Sequence, residues 1–226
     1  MYKDQQSLMP KVSAVNLLSC EGKSQMIGAN MGTKSAQTPT ARDTMEGPQL
    51  STMRAYKRSP VLSNSRWYKG LLLSRMAGPA DNNGAFDFTI AKVRPGTEPP
   101  PHVHSREDEF FYLLSGEMRF YVDGKVFSVT AGECIFLPRR ISHAWLIGSE
   151  DANMIAVITP AGFTDALEKM SAPAERMEVP TDIDTITYAN ADLTETIKVH
   201  EQYGVRLLTP DEIRTEMPEY PLQPRF

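Results

Sequence analysis

The residues best suited to chemistry are three of the four histidines in the chain and one glutamate. His102 and His104 are one residue apart, and Glu109 follows five residues later. Because alternate side chains of an extended strand share a face, both imidazoles of this pair point to one side. A hairpin after the pair would bring Glu109 beside the rings, and His143 supplies a third imidazole. Three imidazole nitrogens and one carboxylate suit a divalent first-row metal, so the sequence predicts such a site.

Glycine residues frame these candidates in two segments. The first, GTEPPPHVHSREDEFFYLLSG, runs from Gly96 to Gly116, and in the second Gly132 precedes His143. The pattern resembles the two motifs of the cupins over about residues 67–163. The segments PPPHVHSREDEFFYLLSGE and ITPAGF are similar to segments of the small single-domain cupins grouped with quercetin 2,3-dioxygenases. The resemblance implies a jelly-roll barrel and a metal held by the three histidines and the glutamate.

Two positions depart from the second motif of the family. Arg140 stands where the family usually has glycine, and Ile147 stands where it has asparagine. Neither position is a ligand, so the implied ligand set is complete. Because glycine is favoured where φ is positive, Arg140 predicts either a different turn before His143 or local strain.

The spacing of short apolar runs predicts an all-β fold. Between residues 67 and 160 such runs recur about every ten residues, with glycine-containing turns between them, which favours a sandwich or barrel. With the family resemblance, this gives a cupin double-stranded β-helix (a jelly-roll barrel), with a few peripheral C-terminal helices and an irregular N-terminal segment. The expected hairpin turns are Asn83-Gly84, Ser115-Gly116 and Asp123-Gly124.

Three parts of the chain differ in pattern. Residues 1–55 lack apolar periodicity, so we expect an irregular or flexible segment, with an arm that packs on a partner subunit as the alternative. Residues 56–163 are predicted to form the barrel, and residues 164–226 a helical extension packed on it. Helices of this extension are expected near residues 164–168, 192–203 and 211–217.

Composition and charge limit the partners. The net charge is −4 without a basic run, so no nucleic acid is expected. No apolar stretch approaches the roughly 18 residues of a membrane span, and no apolar signal region begins the chain. We therefore expect no membrane partner, a cytoplasmic location and a homodimer. Two cysteines make no disulfide framework, and Cys134, within an apolar run, is predicted to be a buried thiol.

Strand parity extends the candidate site beyond the ligands. Phe111 lies two residues after Glu109, and Trp145 lies two residues after His143, so both should face the interior near the metal. Substrate contact and ordinary core packing both remain open for these two side chains. His200, in the predicted extension, is expected on the surface of its helix.

Glu109 has a second predicted role. Its carboxylate, beside the open metal positions, could take a proton from a bound substrate, and general bases contribute about 10²–10⁴-fold. Spacing favours Glu109 over Glu107 and Asp108, which are predicted to be solvated charges of the loop.

The resemblance implies a metal-dependent dioxygenase acting on a phenolic or enolic small molecule. One divalent transition metal is expected as cofactor (iron, manganese, nickel, cobalt or zinc), with dioxygen as a second substrate. Two alternatives stay open: a non-redox isomerase, cyclase or lyase that uses the metal as a Lewis acid, and a non-catalytic cupin that binds a small molecule. The fold alone does not decide among them.

Overall fold

A computed structural model describes residues 53–181 and 186–222, in which strands predominate. The strands are β1 (Ser65–Tyr68), β2 (Leu71–Ala77), β3 (Asp87–Val93), β4 (His102–His104), β5 (Asp108–Ser115), β6 (Glu117–Val122), β7 (Lys125–Thr130), β8 (Cys134–Leu137), β9 (His143–Ile147), β10 (Ala152–Thr159), β11 (Ala172–Pro173) and β12 (Val205–Leu207). The α-helices are α1 (Pro79–Asn82), α2 (Phe163–Lys169), α3 (Thr194–Gln202) and α4 (Pro210–Glu216), and a 3-10 helix spans Leu62–Asn64.

Two antiparallel sheets share one apolar core. The larger sheet has the strand order β11-β1-β2-β3-β10-β5-β8, and the smaller has the order β12-β4-β9-β6-β7. Phe111 and Leu113 of the larger sheet belong to the same buried cluster as Phe120 and Trp145 of the smaller one. The all-β jelly-roll class that the sequence predicts is therefore confirmed, with its few helices outside the sheets.

Of the three predicted hairpins, one is present as a tight turn. Asp123-Gly124, with φ of 54° and 63°, joins β6 to β7. Ser115-Gly116 instead carries the chain from β5 of the larger sheet to β6 of the smaller one, so that prediction is wrong. A side chain at Gly116 would collide with the carbonyl oxygen of Asp151, so the crossing requires glycine. Asn83-Gly84 does lie in the connection between the antiparallel neighbours β2 and β3, but this connection also contains the short helix α1 and is longer than the tight turn that was predicted.

The outer face of the larger sheet carries several exposed apolar side chains. Phe110, Tyr112 and Leu114 alternate along β5 with buried neighbours and are exposed. Cys134, opposite Tyr112 on β8, is exposed on the same face, so the prediction of a buried thiol is wrong. Alternation along this strand places Ile135 in the core instead. The homodimer stays a prediction.

The chain after β10 packs against the barrel. Phe163 of α2, Val199 of α3 and Val205 of β12 belong to one buried apolar cluster. Strand β12 adds to the edge of the smaller sheet beside β4, where Val205 lies opposite His104. The three helices predicted in this region correspond to α2, α3 and α4, which lie close to the predicted bounds.

The predicted N-terminal segment, residues 1–55, falls outside the described residues up to position 52. Over residues 53–181 and 186–222, no helix is both long enough and apolar enough to span a membrane.

Candidate metal centre

The candidate ligands come from both sheets. His102 and His104 lie on β4, and His143 of the adjacent β9 pairs directly with His102. Glu109 lies on β5 of the larger sheet. The segment between β4 and β5 passes from one sheet to the other, so the predicted hairpin is absent. It nevertheless brings the carboxylate to the rings.

The ligand atoms of these four residues converge in the interior. All four side chains are buried, and their ligand atoms lie within 4.8 Å of one another. One carboxylate oxygen of Glu109 is 3.5 Å from Nε2 of His104, and the other is 3.1 Å from Nε2 of His143. The ring centroids of His102 and His143 are 4.5 Å apart. The structure thus brings together the complete predicted ligand set.

Backbone carbonyl groups orient two of the imidazoles through Nδ1, the ring nitrogen that faces away from the centre. Nδ1 of His102 lies 2.8 Å from the carbonyl oxygen of Pro100, and Nδ1 of His143 lies 3.2 Å from that of Ile141. Because a carbonyl oxygen only accepts, each Nδ1 carries the proton and donates it. The lone pair of each ring is therefore on Nε2, the nitrogen that faces the centre.

Glu107 holds the third imidazole. Its side chain is 4% exposed, and its Oε2 lies 3.2 Å from Nδ1 of the fully buried His104. A carboxylate in this position orients a ligand imidazole and raises its basicity. The prediction of a solvated loop charge is wrong here, because the loop turns this side chain inward in a way that strand parity does not reveal. Asp108 instead pairs with the exposed Arg139 at 2.6 Å.

The charges of the centre depend on one another. Burial opposes ionisation of Glu109, but the imidazoles of His104 and His143 outweigh it and lower the pKa of this carboxyl to about 2. Burial, with a smaller contribution from His143, holds the pKa of His102 well below its ordinary value. Burial also acts to lower the pKa of His104, but Glu109 and Glu107 outweigh it and raise that pKa. A buried, ionised carboxylate therefore faces three imidazoles.

The donor atoms fit a bound cation. Nε2 of His104 and Nε2 of His143 are buried without a hydrogen-bond partner. While both rings are neutral with the proton on Nδ1, their lone pairs face the oxygens of Glu109, which is repulsive unless positive charge lies between them. Leaving such atoms unpaired costs about 1–3 kcal/mol each. Three nitrogens and one carboxylate suit iron(II), manganese(II), nickel(II), cobalt(II) or zinc(II), and four protein ligands leave open positions on a six-coordinate ion.

The turn before His143 has the local strain that was one of the two outcomes predicted from Arg140. Arg140 has a φ of 65°, in the left-handed region that favours glycine. Its backbone N–H donates to the carbonyl oxygen of His104 at 2.7 Å, which ties the turn to a ligand strand. The second departure from the motif, Ile147, is a buried core residue.

A cavity of about 90 Å³ adjoins the centre. His102 and Glu109 form part of its lining, and so do the two aromatic residues expected there, Phe111 and Trp145. Most of the remaining wall is apolar. The other polar residues that line it are Tyr68, Thr89, Thr164, Tyr188 and His200.

Three of these residues, Thr164, Tyr188 and His200, come from the C-terminal extension. The prediction of a surface position for His200 is wrong: it is 4% exposed, and it shares a buried helical face with Thr196 and Val199. This i, i+3, i+4 spacing is the sequence signal that could have identified its orientation. The Tyr188 hydroxyl lies 2.7 Å from that of Tyr68, and burial raises the pKa of both. No local pattern indicates that Tyr188 reaches the cavity.

Comparison with known proteins identifies relatives of this chain. A family model described as a cupin domain matches residues 89–158. The chain is 24% identical to the quercetin 2,3-dioxygenase of Bacillus subtilis over 100 residues, which is 44% of this chain but only 30% of that enzyme. It is 33% identical to an oxalate-binding protein of Thermotoga maritima over 100 residues, or 43% of this chain and 83% of that protein.

Solved structures give the same kind of match. An RmlC-like cupin from Shewanella frigidimarina is 22% identical, with a TM-score of 0.41, over 48% of this chain and 95% of that chain. The residues that the cupin model matches contain β4, β5 and β9 with all four candidate ligands. This model and the 33% identity over most of the Thermotoga maritima protein show that the chain belongs to the cupin superfamily.

Proposed function

We propose that this protein is a metal-dependent dioxygenase that acts on a small enolic or phenolic molecule. The observation that carries the proposal is the convergence of Glu109 and three imidazoles beside a mostly apolar cavity. A metal held by these four residues would supply a Lewis acid with open positions and, if redox-active, a path for electrons to dioxygen.

The cavity supports a small substrate with an apolar body. Its volume of about 90 Å³ is well below the roughly 300–1,000 Å³ typical of sites for drug-sized ligands. A single ring or a short enol therefore suits it better than a three-ring flavonol. Among the described residues that line it there is no lysine or arginine, which disfavours a dianionic substrate.

The residues of the chain have separate roles in this chemistry. Glu109, an ionised carboxylate in the cavity wall, is placed to take the proton of a substrate hydroxyl group. The resulting anion is electron-rich, and it can supply the electrons that dioxygen accepts without an external reductant. Phe111 and Trp145 would exclude water from this anion.

Oxygen uptake tests the proposal. The protein is loaded separately with iron(II), manganese(II), nickel(II), cobalt(II) and zinc(II), and uptake is followed with single-ring phenols, catechols and small enols. Quercetin serves as the large-substrate comparison. We expect uptake with at least one redox-active metal and a one-ring or enolic substrate, and none with zinc. Oxygen-labelled product would show that both atoms enter the substrate.

A non-redox reaction is the second candidate, because Glu109 as a base needs only a Lewis acid beside it to drive isomerisation or elimination. Turnover that is equal with and without dioxygen, and equal with zinc, would replace the dioxygenase proposal with this one. Tight binding of a small molecule without turnover would instead favour a binding protein, as the name of the oxalate-binding relative suggests.

A further inference from the structure

The wall that α2 and α3 add to the cavity contains two polar side chains with unused hydrogen-bonding atoms. They are His200 on α3 and Thr164 on α2, and both line the same cavity as His102 and Glu109. Neither belongs to the four candidate ligands. Buried polar groups are almost always hydrogen-bonded, so two of them in one cavity wall require an explanation.

His200 lines the cavity and carries a hydrogen-bond acceptor. Its Nδ1 lies 2.7 Å from the carbonyl oxygen of Thr196, one helical turn earlier. Because that oxygen only accepts, Nδ1 carries the proton and Nε2 carries a lone pair. Burial lowers the pKa of His200, which keeps the ring neutral. In the described part of the chain no hydrogen bond satisfies Nε2.

Phe163 separates His200 from the metal centre. Its ring centroid is 4.8 Å from that of His104 and 5.7 Å from that of His200, with edge-to-face geometry in both contacts. His200 therefore lies one ring beyond the ligands. It is a cavity residue and not a further ligand.

Thr164 adds a hydroxyl group to the same wall. The residue is 3% exposed, and its Oγ1 is buried without a partner. Its backbone N–H donates to Oδ2 of the fully buried Asp87, which fixes the residue in place. An unpaired buried hydroxyl costs about 1–3 kcal/mol, so a ligand that reached this atom would gain a hydrogen bond.

We propose that Nε2 of His200 and Oγ1 of Thr164 form a second anchoring point, which binds a hydroxyl or N–H group of the substrate. The substrate class is then a small molecule with an apolar body between two polar groups, one for the metal centre and one for this wall. The inference rests on the proposed function only because both place a small molecule in this cavity.

The tautomer of His200 can be measured directly. The chain has four histidines, and in the zinc-loaded protein three of them are ligands, so ¹⁵N NMR of the imidazoles resolves His200 as the remaining ring. The His200→Gln variant assigns its resonances. We expect Nδ1 to carry the proton and Nε2 to show the shift of a lone-pair nitrogen. A protonated Nε2 would overturn the inference.

Binding of simple probes then tests the anchoring point. Catechol, resorcinol and hydroquinone are titrated into the zinc-loaded protein. Each is compared with the methoxyphenol of the same substitution pattern, in which a methoxy group replaces one hydroxyl group and cannot donate a hydrogen bond. We expect at least one of the three to bind about 3- to 10-fold more tightly than its methoxy counterpart, the value of one neutral hydrogen bond. The same probe should shift the Nε2 resonance of His200.

Variants assign this preference to the wall. His200→Phe should abolish it, and Thr164→Val should reduce it without lowering the unfolding temperature, because the lost hydroxyl has no partner in the protein. His200→Gln, which keeps an acceptor, should restore part of it. Lys198→Gln, on the exposed side of α3, is the matched control and should bind like the native protein.

Three outcomes would overturn the inference: none of the probes binds, a probe binds without moving the His200 resonance, or the preference survives in His200→Phe. Probe binding with the expected preference but no oxygen uptake under any condition would leave the anchoring point intact and refute the proposed dioxygenase.

Discussion

The metal centre and the second wall of the cavity are built in different ways. The ligands lie on β4, β5 and β9, where backbone hydrogen bonds fix the register and His102 lies directly opposite His143. The second wall comes from α2 and α3, whose positions depend on one apolar cluster that includes Val199 and Val205. The positions of the ligands therefore depend on strand register, while the shape of the adjoining cavity depends on side-chain packing. We therefore expect sequence changes in the helical wall to alter which small molecule the cavity accepts.

Core truncations should show the largest difference between the barrel, which holds the ligands, and the C-terminal extension, which supplies the second wall. Met118 is a fully buried core residue of β6, and Met217 is a buried residue that follows α4. Methionine-to-alanine changes in cores cost about 2–5 kcal/mol, and we expect Met118→Ala near the upper end and Met217→Ala near the lower end. Hydrogen exchange should then separate them, since Met217→Ala should expose mainly amides of α4. Equal loss of protection throughout the barrel in both variants would contradict the comparison.

Removal of the ligand from the larger sheet should have the next largest effect. In Glu109→Gln the site keeps three neutral imidazoles but loses its charge, so we expect metal affinity to fall more than about 100-fold, or about 3 kcal/mol. Competition with a chelator measures the affinity. Glu201→Gln, an exposed position on α3, is the matched control. Native affinity in Glu109→Gln would exclude the carboxylate as a ligand.

Glu107→Gln tests the carboxylate behind His104. Loss of such a partner typically weakens metal binding by about 10–100-fold, and we expect a value in this range. Asp108→Asn removes the same charge from the same loop without touching a ligand imidazole, so its affinity should change much less. If the two variants lose equal affinity, the effect is long-range charge and not the contact with His104.

The smallest effect should come from Arg140→Gly. A non-glycine residue in the left-handed region costs about 1–2 kcal/mol, which the greater freedom of glycine in the unfolded chain largely offsets. We expect stability to rise by between zero and about 1 kcal/mol in denaturant unfolding, with unchanged metal affinity. A clear loss of stability would mean that the arginine side chain makes a favourable contact.

The sequence predicts most of the metal centre because its geometry is local to strands. His102 and His104 share a face by alternation, whereas Glu109 and His143 lie on other strands and are supported by the resemblance to the cupin motifs. The recurring apolar runs predict an all-β fold, and the resemblance implies the jelly-roll barrel. Errors appear where the chain leaves a strand, as at Ser115-Gly116, where a glycine turn carries the chain to the other sheet.

The second wall could not be predicted to the same extent. Its residues reach the cavity through tertiary packing of elements distant in sequence. Because the helix that carries His200 is mostly polar, its composition predicts a surface position for this residue. Only the face that His200 shares with Thr196 and Val199 indicates that it is buried. The predictions for Glu107 and Cys134 were wrong for a related reason. The loop turns the side chain of Glu107 inward, and Cys134 lies on the outer face of an edge strand, so the burial of each is the opposite of what local composition indicates.

Metal content of four alanine variants tests the central claim most directly, because the chain has only four histidines. Elemental analysis after saturation with zinc and desalting should give one metal per chain for the native protein and for His200→Ala. The variants at His102, His104 and His143 should each retain little metal. Full occupancy in any of these three, or loss of metal in His200→Ala equal to theirs with the fold intact, would contradict the account.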